Sequence, residues 1–209
     1  MSNQLSAVLI AGHSRFLKSS PYRLDFGGAP ILDRTLEAFA DFDEVIVVTI
    51  GEAGTVEDAA SKQAKLVHLE DEHATVGAQL RAGAAAINPK SGFAIAICDQ
   101  ALLSRELVDG FAEKFLAHPK KIFVPICQGQ IGMPSIFPTS MQSEFQALGD
   151  EGSAWPIVRD HGDKLQELEI YETSIIRHIE DLDDYHEMLR LAGIPIPEAE
   201  AAGEESKVG

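Results

Sequence analysis

Cysteine, tryptophan and positive charge are all scarce in this sequence. Two cysteines, Cys98 and Cys127, stand among 209 residues. That is too few for a disulfide-stapled scaffold, and each ends an apolar run where a small buried residue belongs. Lysine and arginine number 17 against 33 aspartates and glutamates, a formal net charge of −16. Such a field repels a nucleic-acid backbone, and the sole adjacent basic pair, Lys120-Lys121, makes no patch to override it. No apolar run approaches membrane-spanning length. The opening MSNQLSAVLIAG has no basic region before its short apolar segment, unlike a secretion signal. No segment repeats. These absences argue against nucleic-acid partners, membrane spans and structural disulfides, and they lead to the expectation of a cytoplasmic protein.

What is present is a regular alternation of buried strands and amphipathic helices. With 45% hydrophobic residues, the chain can bury one sizeable core. We expect a single domain over 1–194 and an acidic, alanine-rich, disordered tail over 195–209. The β-branched runs AVLI, EVIVVTI, KLVHL and GFAIAI read as strands. Apolar residues at helical spacing predict helices over Ile31 to Ala40, Thr55 to Gln63, Thr75 to Ile87 and, after an N-cap at Ser104, RELVDGFAEKFL. KIFVPICQGQIGMPSIFP reads as two strands joined by a turn. Helical pieces at Ser140 to Leu148 and Ser153 to Asp160, the strand KLQELEI, and a last helix over Leu182 to Leu191 follow. This order predicts an α/β fold, a mostly parallel central sheet with helices on both faces, whose ligands bind beyond the carboxyl ends of the strands.

Two loops at such strand ends carry polar residues. The first, AGHSRFLKSSPYR, follows Ala7–Ile10. Ala11 and Gly12 allow a sharp turn, while Ser14, Arg15, Lys18 and Arg23 offer a hydroxyl and cations to phosphate. The second is Asp99-Gln100 after FAIAIC. A carboxylate in that place can bind a hard divalent cation that bridges phosphate oxygens. An alternative use of Asp99, capping the following helix, falls better to Ser104.

Four stretches, LIAGHSRFLKSSPYRLDFGGAPIL, CDQALLSRELVD, GMPSIFPTSM and GDEGSAWPIVRDH, resemble segments of the MobA-like nucleotidyltransferases, above all the molybdopterin cytidylyltransferase branch. The first is similar to that family's opening loop, the second to its GDQPLVTPELID segment, the third to GHPxLFPxxL, and the fourth to GDxGARxLLxxH. Order and spacing hold from about Ala7 to about Met188. The resemblance implies a Rossmann-like nucleotidyltransferase fold and transfer of a nucleoside monophosphate, CMP in preference to GMP, from CTP or GTP to molybdopterin or a similar phosphorylated acceptor. Magnesium or manganese is the implied cofactor. Carried over, Ala11, Gly12 and Ser14 lie in the nucleotide loop, Arg15 falls one place before the family's loop arginine, and Asp99 holds the metal. Glu180 of HIEDLDD falls on the second metal carboxylate, with Asp181 the alternative if the correspondence slips by one.

The departures are specific. Pro21 and Ala29 stand at the two lysine positions, Met133 at the GHP histidine, Ala101 after the DQ pair and His178 at the first aspartate of the late motif. Lys18 or Arg23 could reach the same phosphates by another path. Met133 suits an apolar pocket wall. A catalytically degenerate accessory protein, binding a nucleotide or pterin for delivery to a molybdoenzyme, is the second reading. A dinucleotide oxidoreductase is the third, and it lacks a GxGxxG.

Overall fold

The structure is a computed structural model describing residues 4–10, 20–50 and 64–197. Eight strands form one sheet: β1 (Leu5–Ile10), β2 (Glu44–Ile50), β3 (Lys65–Leu69), β4 (Gly92–Ile97), β5 (Ile122–Cys127), β6 (Gln130–Ile131), β7 (Ser135–Pro138) and β8 (Leu165–Glu169). Their order is β3-β2-β1-β4-β7-β5-β6, with β8 beside β5. β1 pairs in parallel with both β2 and β4, β2 with β3, and β5 with β8. Only β6 and β7 run against the rest. The stretch expected as two strands holds three, because Gln128 and Gly129, both at positive φ, turn the chain tightly enough to pair β6 back on β5.

Period-two alternation divides the sheet's side chains between two cores. Leu5, Ala7, Leu9, Val45, Val47, Ala94 and Ala96 meet helices α1 (Ile31–Ala38) and α3 (Arg105–Ala117) on one face. Val8, Ile10, Ile46, Val48, Phe93 and Ile95 meet α2 (Val76–Ala86), α4 (Gln142–Gln146) and α5 (Ala154–Asp160) on the other. Continuous apolar strands are what a sheet covered on both sides requires. A third cluster seats the last helix, α6 (Leu182–Leu191), against Phe26 and Ile31 through Tyr185, Met188 and Leu189. The Tyr185 hydroxyl donates to the Asp25 carbonyl at 2.6 Å. Both cysteines are buried and free. The expected Thr55–Gln63 helix and the tail beyond residue 197 lie outside the described residues. Among the described residues no helix is long and apolar enough to cross a membrane.

β1 leads to β2 on one side, and the chain later returns to lay β4 on the other. The strand order therefore reverses between β1 and β4, and a crevice opens beyond their carboxyl ends. The Cys98 amide closes that end by donating to the Ile10 carbonyl at 2.9 Å. Asp99 is the next residue.

Candidate active site at the switch point

Asp99 and Gln100 are both buried, yet each keeps one oxygen, Oδ1 and Oε1, without a hydrogen-bond partner among the described residues. Buried polar atoms are almost always paired, so two orphaned oxygens on adjacent residues at a switch point make this loop the candidate ligand site. Their other atoms fix the loop. Asp99 Oδ2 accepts from the Ile179 amide at 3.3 Å, and Gln100 Nε2 donates to the Ile175 carbonyl at 3.2 Å. The helix cap belongs elsewhere: Ser104 Oγ accepts from the Leu107 amide at 3.2 Å. Burial pushes the Asp99 carboxyl up to about 6, partly opposed by His178 and reinforced by Glu180.

Those two bonds draw the segment after β8 across the end of β4, and the segment carries His178 and Glu180. His178 Nε2 and Glu180 Oε1 are 3.0 Å apart, both partly exposed. They line a cavity of about 230 Å³ together with Arg177, Asp184 and Met188. Asp181 is committed to structure. Its carboxylate accepts from the Asp184 amide, and the Asp184 carboxylate accepts in return from Asp181, forming the capping box of α6. Of the two adjacent candidates, Glu180 is therefore the one that lines the cavity.

Of the predicted nucleotide-loop residues, Ala11, Gly12, Ser14, Arg15 and Lys18 lie outside the described residues. Arg23 ends a 3-10 turn at Pro21–Arg23, with its guanidinium carbon 5.8 Å from the Tyr22 ring centroid. The turn that follows is tight. Gly27 and Gly28 take positive φ, the Phe26 amide donates to the Ala29 carbonyl at 2.7 Å, and Asp25 Oδ2 accepts from the Gly28 amide at 3.2 Å. Met133 lines an apolar cavity, as its residue type implies.

Sequence reasoning missed a clamp on the far side of the crevice. Thr75 caps α2 by accepting from the Ala78 amide at 3.2 Å, and its hydroxyl also donates to the Asp150 carbonyl. Arg81 donates to the Leu148 carbonyl and pairs with the Asp150 carboxylate, each at 2.7 Å. Gly77 lies flush against the backbone of residues 149–152. The available signal was a glycine in the first turn of a helix, facing a GDEG turn whose partner no local pattern names.

As to a metal, among the described residues no group of three or more His, Cys, Asp or Glu side chains converges as a complete cage. The Asp99 oxygen and the carboxylate of Glu180, whose charge reaches Asp99, would suit a divalent cation, and a cation held there would neutralise charge on a phosphate.

The comparisons with known proteins accord with this fold. Rv0371c of Mycobacterium tuberculosis H37Rv superposes with a TM-score of 0.79 at 24% identity, covering 91% of this chain and 99% of that one. Its complex with manganese gives 0.73 at 23% identity, covering 89% and 97%. The molybdopterin-guanine dinucleotide biosynthesis protein A of Archaeoglobus fulgidus gives 0.67 at 13%, covering 90% and 98%. These likenesses are of fold. A search of curated proteins found no significant match. The model of the MobA-like NTP transferase domain matches residues 6–166, a span that runs from β1 through the switch point and the α2 clamp into β8, and the chain belongs to that family.

Proposed function

We propose that this protein transfers a nucleoside monophosphate, CMP in preference to GMP, from a nucleoside triphosphate to molybdopterin or a similar phosphorylated acceptor. An acceptor phosphate oxygen attacks the α-phosphorus, the bond to the bridging oxygen breaks, and pyrophosphate leaves with that electron pair. The observation that carries this reading is the buried Asp99 at the switch point with an oxygen left unpaired. Asp99 and Glu180 would hold magnesium or manganese, and the manganese complex of Rv0371c supports a divalent ion in this fold. When bound, the ion neutralises charge developing on the phosphates. The chain's own part is to hold Asp99 through Ile179 and Gln100 through Ile175, so that the carboxylate needs no reorganisation during the reaction. Ala11, Gly12, Ser14 and Arg15 would cradle the triphosphate. The sequence resemblance supports this acceptor, and the name of the Archaeoglobus protein is in keeping with it. The test is pyrophosphate release from CTP and from GTP with molybdopterin and magnesium or manganese. Faster release from CTP is expected, and none from either nucleotide overturns the reading.

A second reading rests on Pro21 and Ala29, which stand where the family carries lysines. Pro21 is buried, and Ala29 is held in the glycine turn, so neither position supplies a cation. An accessory protein that binds the nucleotide or pterin for a molybdoenzyme, without turnover, would tolerate both losses. Arg23 separates the two. If Arg23 replaces a lost lysine, Arg23→Ala weakens CTP binding far more than CMP binding, since only the outer phosphates are in reach. A charge-assisted contact of roughly 1.5–3 kcal/mol corresponds to about tenfold to a hundredfold in affinity. Calorimetric titration of both nucleotides reads it, and equal CTP affinity in parent and variant ends the substitute-cation role.

A further inference from the structure

On the α2 side of the sheet lies a cavity of about 220 Å³ that the transfer chemistry does not use. Its wall is formed by Ile10, Leu80, Met133 and Val158, and its described lining residues include no titratable side chain, the polar members being the hydroxyls of Ser135 and Ser153. Three of the six large apolar side chains exposed among the described residues, Val76, Ile131 and Trp155, gather on this one cavity. Scattered singly they would need no explanation, whereas converging on a concave site they mark a place that an apolar group covers.

Backbone hydrogen bonds tie the walls of this cavity to the proposed transfer site. Ile10 lines it and ends β1, where its carbonyl accepts from Cys98, the neighbour of Asp99. The Ile175 carbonyl accepts both from Gln100, at 3.2 Å, and from the amide of Met133, at 2.8 Å. One carbonyl thus sets the position of the acidic loop and of the apolar wall together.

We propose that this cavity receives an aromatic ring or branched alkyl group of the acceptor, stacked against Trp155, while the acceptor's phosphate faces Asp99. The proposal rests on the transfer reading for the word acceptor, and on the cavity alone for the chemistry of what fills it. Apolar cavities of roughly 150 Å³ hold a benzene molecule, so this volume takes one substituted ring rather than a whole cofactor. A group rich in hydrogen-bonding atoms would leave them unpaired against Leu80 and Val158, at a cost of about tenfold in affinity for each one. Of molybdopterin and similar phosphorylated acceptors, this favours a phosphomonoester with an apolar body over the polar pterin of molybdopterin.

Trp155 is the single tryptophan of the chain, which makes its emission a direct reporter. The experiment titrates 1-naphthyl phosphate and glycerol phosphate into the full chain, by calorimetry and by Trp155 emission. Naphthyl phosphate should bind at least tenfold more tightly and change the emission. Val76→Asp and Ile131→Asp alter half-exposed positions at the rim and should abolish that preference without lowering the melting temperature. Equal affinities overturn the proposal, as does a preference insensitive to both variants. A dimer in sedimentation that either variant disperses also overturns it, since a second copy would then cover the cavity. Failure of the transfer reading looks different: the naphthyl preference persists while no acceptor releases pyrophosphate from CTP.

Discussion

Asp99→Asn makes the protein more stable at pH 8 and abolishes metal-dependent nucleotide binding. The side chain is buried, and burial raises its pKa from 3.8 to about 6. Between those values the folded protein binds a proton that the unfolded chain has released, so stability falls as pH rises through the window and stays low above it. The ionised carboxylate therefore costs the fold about 3 kcal/mol at neutral pH, at 1.36 kcal/mol for each unit of pKa. Asparagine keeps the acceptor for the Ile179 amide and removes the charge. Its amide nitrogen, unpaired where Oδ1 now sits, returns about 1 kcal/mol. The net gain of about 2 kcal/mol raises the melting temperature by roughly 4–8 °C. As pH falls towards 4 the gain disappears, because the folded carboxyl is then neutral and the unfolded one is about half protonated. Thermal unfolding of parent and variant from pH 4 to 8, beside calorimetric titration of CTP with manganese, reads both effects. A variant that binds as the parent does reduces Asp99 to a turn residue. One that loses binding while gaining stability identifies a site kept ready for a cation at the expense of the fold.

Gly77→Ala has the opposite consequence. A methyl group there would press on the Gly149 carbonyl oxygen and lie 2.6 Å from that of Asp150 and 2.8 Å from the Gly152 nitrogen. All three are backbone atoms, and the segment is held by Thr75 and Arg81, so it cannot give way as a side-chain tip would. Overpacking of this kind costs about 3 kcal/mol, or roughly 6–12 °C in melting temperature for a chain of this size. The loss reaches the site as well. Val76 and Leu80 of α2 line the apolar cavity opposite Ser153 and Trp155, and the displaced turn is what sets that spacing. Gly110→Ala is the control. It too lies inside a helix, α3, but an added methyl meets nothing within 4 Å. Replacing an unneeded helical glycine stabilises by about 0.5–1 kcal/mol. Melting curves of the two variants should move in opposite directions, and similar shifts would show that α2 can retreat from the turn.

The strands and helices were legible because their signals are local. EVIVVTI can be little but a doubly covered strand, Ser104 caps where expected, and Asp99 follows a buried run, so its place at a strand end needed only the pattern of its neighbours. The αβ order also gave the family's likeness its frame. The short β6 escaped notice, since two residues carry no periodicity and their pairing depends on Gln128 and Gly129 turning at positive φ. Glu180 and Asp181 are adjacent carboxylates that no sequence pattern separates. The capping box of α6 does so by engaging Asp181 and leaving Glu180 at the cavity. Gly77 and Gly110 likewise read alike as glycines within helices. Their difference lies in what stands across the contact, a turn more than seventy residues away for one and open space for the other. The sequence by itself determined which segments become strand or helix and which strand ends carry a carboxylate, because propensity and burial period act over a few neighbouring residues. Only the tertiary structure decided which polar oxygens stay unpaired, which glycines are indispensable and which apolar side chains gather into a cavity, because each depends on atoms that chain folding brings from far along the sequence.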